Sequence, residues 1–398
     1  MKKFFWVTLV IGLGIGLIGV YERLTTEHLQ ANYGSIIPWG LWVALYIYFV
    51  GLSAGAFLIS SLVYVFQIKK FEPLGKLSVF VALVTLFMAL IFIWFDLGHM
   101  ERAWRVLLTP NFHSMMAWMV WLYTIYFLVL ICEAYFLLRS DFLKMGGMWK
   151  IFSLGFGSQS SEGIARDRKY VRILGSIGVP LAIMFHGGVG ALFGVVSARP
   201  YWHSGLYPII FLISALASGG ALITFIFIFI QKDKEKYSEL IQSLGQLVLY
   251  FLAVDILFNI SEILVGLYGA IPHHIEPFLT VMKGPFWWVF WVVQLCVGMM
   301  IPVLLLSYPK TKKNISFVFT AVLCVLVGFI GVRLNIVIPA LASEEIKGLV
   351  EAYRSARFST YYFPSLMEWL VSVFIISLGI FVFTLGLKFL PLQTKERI

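Results

Sequence analysis

The stretch LGKLSVFVALVTLFMALIFIWFDL, residues 74–97, decides the class of fold. Between Lys76 and Asp96 it runs nineteen residues without a charge. A helix needs about 20 mostly apolar residues to cross the hydrocarbon core of a bilayer. Comparable runs recur at about 4–20, 38–66, 115–138, 172–197, 206–231, 239–269, 284–307, 315–339 and 366–390. Together they predict an all-α, polytopic membrane protein with ten transmembrane helices. The composition agrees, with 60% hydrophobic and 13% charged residues in a chain of 398. Soluble domains run near about 45–50% apolar and about 25% charged. A water-soluble fold of this size cannot hide so much apolar surface, which excludes a soluble enzyme, a nucleic-acid-binding domain and a disordered chain. The first run lacks a small-residue cleavage site and continues into Tyr21-Glu22-Arg23, so it reads as a retained anchor.

The net charge of +10 does not point to nucleic acid, because Lys and Arg sit in short clusters between apolar runs. With the N-terminus inside, 21 of the 30 Lys and Arg fall in inner segments and 8 in outer ones, while Arg333 lies within the ninth helix. That asymmetry predicts a multi-pass protein of the cytoplasmic membrane with both termini in the cytoplasm. The longest inner segment, 139–171, holds Gly, Ser and mixed charge and reads as a flexible connector. Cys132, Cys296 and Cys324 are isolated in apolar stretches, where the expectation is a small buried hydrophobe. Without a C-x-x-C, no iron–sulfur cluster, zinc site or haem attachment is expected.

Gly51-Leu-Ser-Ala-Gly-Ala-Phe-Leu-Ile59 is echoed by Ala215-Leu-Ala-Ser-Gly-Gly-Ala-Leu-Ile223. Small residues at helical spacing let helices approach closely. Read as a repeat, the echo predicts two four-helix bundles of the same orientation, 36–198 and 199–340; small-residue packing without any repeat accounts for it equally well. The bundles are flanked by an anchor helix with its outer loop (1–35) and by an outer loop with a C-terminal helix (341–398).

Ionisable residues within a membrane helix are costly and mark function by default. Most of them lie in the outer half. Asp96 ends the third helix and is followed by His99, Glu101 and Arg102. Glu262 lies near the outer end of the seventh helix, with Asp255 two turns below on the same face. Arg333 and Asn335 lie near the outer end of the ninth, Glu368 opens the tenth, and His186 sits near the middle of the fifth. On the inner side only Glu133 compares, where snorkelling to the interface is expected. Arg333 has Glu262 or Glu368 as candidate partners, and Asp96 has Arg102. His113 and His203 read as interfacial, and His28, His273 and His274 as solvated loop residues. Membrane haem needs axial His from facing helices, and only His186 lies deep; His273-His274 is adjacent and loop-borne. No haem or metal site is therefore expected.

A redox role would need an organic carrier, and a membrane quinone suits these groups. Its head group calls for donors to its carbonyls, aromatic walls and a nearby carboxyl or imidazole. The outer helix ends offer Trp39, Trp42, Tyr46, Asp96, His99, Trp104, Tyr201, Trp202 and His203. The rival reading is a secondary transporter or proton-coupled channel. It predicts helices broken mid-membrane and polar groups in both leaflets. Here Pro180, Pro208 and Pro302 are modest breaks and the polar groups are one-sided.

Asp96-Leu-Gly-His99-Met-Glu-Arg102-Ala-Trp104 and then Pro110-Asn-Phe-His113-Ser-Met-Met-Ala-Trp118 resemble the NrfD/PsrC-like family of membrane quinone subunits. The family pattern is roughly D-L-G-R-P-x-R-x-W followed by N-F-x-S-P-M-S-W. This chain departs from it at His99, where Arg is common, and at Met115, where Pro is common. Tyr46-Ile-Tyr-Phe-Val-Gly-Leu-Ser-Ala-Gly55 looks like the family's first bundle helix. The ten-helix length resembles the HybB/DsrP branch, as do His186-Gly-Gly-Val-Gly-Ala-Leu, Trp202-His203, Leu212-Ile-Ser-Ala215, Arg333-Leu-Asn335 and Tyr362-Phe-Pro-Ser-Leu-Met-Glu368.

The resemblance implies a site for menaquinone or a similar quinone near the outer face. It implies a ferredoxin-like iron–sulfur subunit docked there and connected to a hydrogenase, a molybdenum enzyme, a multihaem cytochrome or a cytoplasmic-facing module. It matches Tyr46, Asp96, His99 and His186 to the family's site positions, with Glu262 as the acid of the second bundle. On this reading His186 or Tyr46 bonds a quinone carbonyl and Asp96 with His99 exchanges the proton. Arg102, Trp104, His113, Tyr201, Trp202 and His203 lie around the carrier. Asp255, Glu262, Arg333, Asn335 and Glu368 extend a proton path or brace the second bundle.

Overall fold

The computed structural model describes residues 2–153, 160–269, 272–344, 346, 348–353, 355 and 357–392. Lys347, Arg354, Lys395 and Arg397, counted in the charge asymmetry, lie outside them, as do the side chains of His273 and His274. The described residues are mostly helical and contain no strand. Ten helices are long and apolar enough to cross a membrane: α1 Lys2–Thr26, α2 Leu41–Tyr64, α3 Gly75–Asp96, α4 Met115–Met145, α5 Ser161–Gly194, α6 Tyr207–Ile230, α7 Ser238–Tyr268, α8 Val289–Ser307, α9 Ile315–Ala342 and α10 Leu366–Phe389. The chain is an integral, multi-pass membrane protein.

Helix α2 is the axis of the assembly. It packs on α3 and α5 on one side and on α6 and α9 on the other, and almost all of its residues are buried. Helices α4 and α5 pair and close one group; α6 and α9 pack together, with α7 against α6 and α8 against α9 in the other. Helices α1 and α10 pair with each other and lean on α3 through α10. The echoed small-residue motifs meet face to face. A Cβ on Gly219 would sit 2.5 Å from Gly55 Cα, and one on Gly55 would overlap the Ala215 carbonyl. With lipid as the competing solvent, such close backbone approach is what holds membrane helices together.

Polar ends are tied off locally. Ser365 and Glu368 form a capping box at the start of α10, and the Asn314 side chain accepts from Ser316 N at 2.9 Å at the start of α9. From Val289 to Met300, α8 is wound as a π-helix, a departure from regular α geometry that tends to accompany functional sites. A short helix, Pro272–Lys283, lies over the outer end of the second group of helices and buries Phe278 and Val281.

Two expectations are corrected. The segment 139–171 is not all connector, because α4 continues to Met145 and α5 starts at Ser161. Arg139 bonds Asp167 through both guanidinium and carboxylate arms (Nε to Oδ2 3.1 Å) and lies over the Phe136 ring. This clamp extends the antiparallel pair beyond the apolar span, where charge had lowered the hydropathy. The cysteines are not buried either: Cys132 is exposed on the outside of the bundle and Cys296 and Cys324 are half-buried. A small apolar side chain facing lipid loses nothing by exposure.

Candidate functional site

The side that the charge asymmetry assigns to the exterior (the outer side) carries most of the anticipated polar residues, but they fall into separate groups. The deepest lies where α2, α5, α6 and α9 meet. His186 of α5 is fully buried, and neither ring nitrogen has a partner. Arg333 of α9 donates from Nη2 to Ser214 Oγ of α6 at 2.5 Å and lies over the Phe211 ring at 4.7 Å. Its Nε and Nη1 have no partner. The two groups converge over the bare backbone of Gly51 in α2. A Cβ there would lie 3.4 Å from His186 Cε1 and 3.6 Å from Arg333 Nη2. Counted along the helices at 1.5 Å per residue, the spot lies roughly 12–15 Å below their outer ends.

The site extends into the first group of helices through aromatic rings. Phe185 packs beside His186, with centroids 6.1 Å apart, and against Tyr123 at 5.6 Å. Tyr123 of α4 and Tyr46 of α2 hydrogen-bond through their hydroxyls. Each buried polar group left without a partner costs about 1–3 kcal/mol. Several orphan nitrogens at one point in an apolar bundle therefore call for a polar partner that the protein itself does not supply. Arg333 pairs with neither Glu262 nor Glu368. Asp255 of α7 is buried, with Oδ1 unpartnered and Oδ2 accepting from Asn259 at 3.1 Å.

A second group fills the corner between α1, α3, α10 and the start of α2. Asp96 Oδ1 accepts from the Tyr33 hydroxyl at 2.8 Å. Arg23 caps α3 by donating to the Phe95 and Leu97 carbonyls at 2.9 and 2.6 Å. Its Nη2 also donates to His28 Nε2 at 3.2 Å. His28, expected to be solvated, rests against Trp42. Burial first, and then the neighbouring guanidinium, lowers its pKa and keeps the ring a neutral acceptor. Burial raises the Tyr33 pKa well above the ordinary value, with Asp96 adding to it, so Tyr33 stays a donor. Glu368 is held by Tyr362, by Ser365 N at 2.8 Å and by Asn32 N at 3.2 Å. Its oxygens are thus filled by the capping of α10 and by the loop after α1. Trp42 Nε1 donates to the Glu368 carbonyl at 3.0 Å.

A third group lines a cavity of about 40 Å³ beneath the helix Pro272–Lys283. That is room for roughly three waters. Tyr201, Tyr207, Phe278, Glu262, Asn259 and Gln294 line it. Glu262 accepts from Ser204 Oγ at 2.5 Å and Gln294 accepts from Asn335 at 2.7 Å. Burial raises the Tyr201 pKa, with Glu262 adding to it. Trp39 stacks on Trp202, and Trp202 Nε1 donates to the Ile336 carbonyl at 2.7 Å.

His99, Arg102, Trp104, His113 and His203 join none of these groups. They are exposed in the outer loops. His99 and Arg102 lie 3.4 and 3.3 Å from Glu101, and His203 Nδ1 lies 2.9 Å from the Gly194 carbonyl. Sequence reasoning missed Tyr123, Ser214, Tyr33 and Arg23. Only the three-residue spacing of Tyr123 and Tyr126 hinted at a shared face in α4.

The family model described as polysulphide reductase, NrfD, matches residues 29–343. A selenate reductase subunit of Mesobacillus selenatarsenatis is 38% identical, over 100% of this chain and 96% of its own length. The Hdr-like menaquinol oxidoreductase integral membrane subunit of Archaeoglobus fulgidus is 26% identical over 99% and 95%. The menaquinone reductase integral membrane subunit of Nitratidesulfovibrio vulgaris is 23% identical over 99% and 93%.

Proposed function

This chain belongs to the NrfD polysulphide reductase family, and from that premise we propose that it is the quinone-reactive membrane subunit of a respiratory oxidoreductase complex. The observation that carries the reading is the set of unpartnered donors where His186 and Arg333 converge over Gly51. These residues fit a quinone in their chemistry: imidazole and guanidinium N–H groups would donate to its carbonyl oxygens, and Gly51 puts no side chain between the two. Phe185 and Phe211 would wall the ring, and the surrounding apolar helices exclude water. When bound, such a carrier exchanges two electrons and two protons. The Tyr46–Tyr123 hydroxyl pair is placed to pass a proton at this depth. Glu262 with the small cavity it lines, and Asp255 through its bond to the cavity-lining Asn259, suit an outer proton route, and Asp96 with Tyr33 a second carboxyl near the surface.

Menaquinone or a close analogue is the proposed carrier, supported by the names of two relatives. The electron partner is an iron–sulfur subunit on the outer face. The exposed loop with His99, Arg102, Trp104 and His113 offers it a surface. The transporter reading gains no support from relatives named as reductase or oxidoreductase subunits.

The purified chain tests this without partners. Titration with a short-tailed menaquinone is expected to quench tryptophan fluorescence saturably, with weaker binding in Arg333→Met. Quenching that rises linearly in both proteins would sink the assignment.

A further inference from the structure

The inner end of α5 turns a charged face away from the bundle. Arg166, Lys169 and Arg172 are exposed there, as are Tyr170, Ile173 and Ile177. Counted from Arg166, Lys169 and Tyr170 follow at three and four residues, Ile173 at seven and Ile177 at eleven. These spacings stack them along one side of the helix. The rotation of α5 that sets this side outward is fixed from behind. Asp167 is buried and held by Arg139 of α4, with Nε to Oδ2 at 3.1 Å. Tyr170 packs on Phe136 of α4 with ring centroids 4.9 Å apart, and Arg139 lies over the same ring at 5.3 Å.

Among the described residues no carboxylate pairs with Arg166, Lys169 or Arg172. Asp167 is taken by Arg139, and Glu162, one turn before Arg166, is exposed and forms no ion pair. Lys76 at the inner end of α3, by contrast, is paired with Asp141. Glu133 of α4 was expected to snorkel to the inner interface. Instead it is 1% exposed, and a Cβ on the buried Gly175 of α5 would come within 3.9 Å of its Oε1, so it adds no charge to the outward face. The run from Ile173 to Gly194 contains no Asp, Glu, Lys or Arg. At about 1.5 Å per residue it matches a hydrocarbon core of about 30 Å. The three cations thus stand just beyond the core, at headgroup level, with Ile173 and Ile177 just within it.

We propose that this face of α5 holds an anionic glycerophospholipid of the inner leaflet, its phosphate between Arg166 and Lys169 and its acyl chains along Ile173 and Ile177. Charge complementarity selects that occupant. Cations at the membrane edge attract anionic headgroups, whereas a zwitterionic lipid brings an ammonium group that the same cations repel. An acidic protein surface would match the charges but not the apolar residues directly below them. A lipid supplies both chemistries in one molecule. The Tyr170 ring, amphipathic and exposed at the same level, suits the boundary between headgroup and chain. Bound there, the lipid braces the inner end of the α4–α5 pair beside the Arg139–Asp167 clamp. The inference is independent of the quinone reading.

The test is the melting temperature of the purified full chain in neutral detergent with added phosphatidylglycerol, phosphatidylcholine or inorganic phosphate. A ligand that binds only the folded chain raises it according to its affinity. Phosphatidylglycerol is expected to raise it saturably, phosphatidylcholine much less at the same concentration, and inorganic phosphate not at all. In the double variant Arg166→Gln with Lys169→Gln, the phosphatidylglycerol concentration for half the shift is expected to rise roughly thirtyfold. Each shift is read from the variant's own lipid-free melting temperature, so a small change in stability does not mask it. Lys310→Gln with Lys313→Gln removes two exposed cations at the inner start of α9 and is expected to leave the response as in the unmodified chain. Equal responses to the two lipids, an equal response to inorganic phosphate, an unchanged response in Arg166→Gln with Lys169→Gln, or an equal loss in the α9 variant overturns the proposal.

Discussion

His186→Phe is expected to lower quinone-linked turnover of the assembled complex about a hundredfold while the chain stays folded. A single well-placed donor to an oxygen that gains charge is worth roughly 10²–10³ in rate. His186 is such a donor candidate, because neither of its ring nitrogens closes a hydrogen bond of ordinary geometry, with only the Phe211 backbone near the ring. The same fact makes the substitution structurally mild. Phenylalanine keeps a flat ring, larger than imidazole by about a methylene or slightly more, and enters a pocket already walled by Phe185 and Phe211. Turnover, quinone binding and melting temperature measured together separate the outcomes. A hundredfold loss with unchanged melting fits a site residue. Full activity in a folded variant would make His186 a packing residue.

Gly55→Leu is expected to prevent α2 and α6 from docking. The new side chain would start inside the Ala215 carbonyl and against Gly219 Cα, both backbone atoms that cannot swing away. Overpacking against movable side chains costs about 1–3 kcal/mol, and collision with backbone costs more. Helices α2 and α6 would separate, and with them Gly51, Ser214 and Phe211, which belong to the same crossing as His186 and Arg333. Size-exclusion profile and melting temperature of the detergent-solubilised chain measure the effect, with Gly219→Leu expected to match it. Gly14→Leu on α1 is the control, since nothing lies within 4 Å of that position. A Gly55→Leu protein that melts like the Gly14→Leu protein would contradict the crossing.

The ten helices were legible because an uncharged run such as 77–95 has one physical interpretation at that length. Depth was legible too, since distance from a helix end can be counted along the chain. Azimuth was not. Asp96, Glu262, Arg333 and His186 share a leaflet, yet they face three different places, because which helices adjoin is set by packing across the whole bundle. Tyr123 was hidden in a helix rich in aromatics, where Trp and Tyr at both interfaces are commonplace. Glu133 was misread because its position near the inner half suggested a route to water; the neighbours that bury it come from α2 and α5. The inner ends of α4 and α5 were misread because Arg139 and Asp167 look like loop charges until the antiparallel pairing brings them together.

A quinone ring is expected to sit beside His186, Arg333 and the Tyr46–Tyr123 pair. Photolabelling of the complex with an azido-quinone, followed by peptide mapping, measures this directly. Label on α2, α4 and α5 around Tyr46, Tyr123 and His186, displaced by excess menaquinone, is the predicted result. Displaceable label confined to the second-bundle cavity at Tyr201 and Glu262, with none near His186, would contradict it.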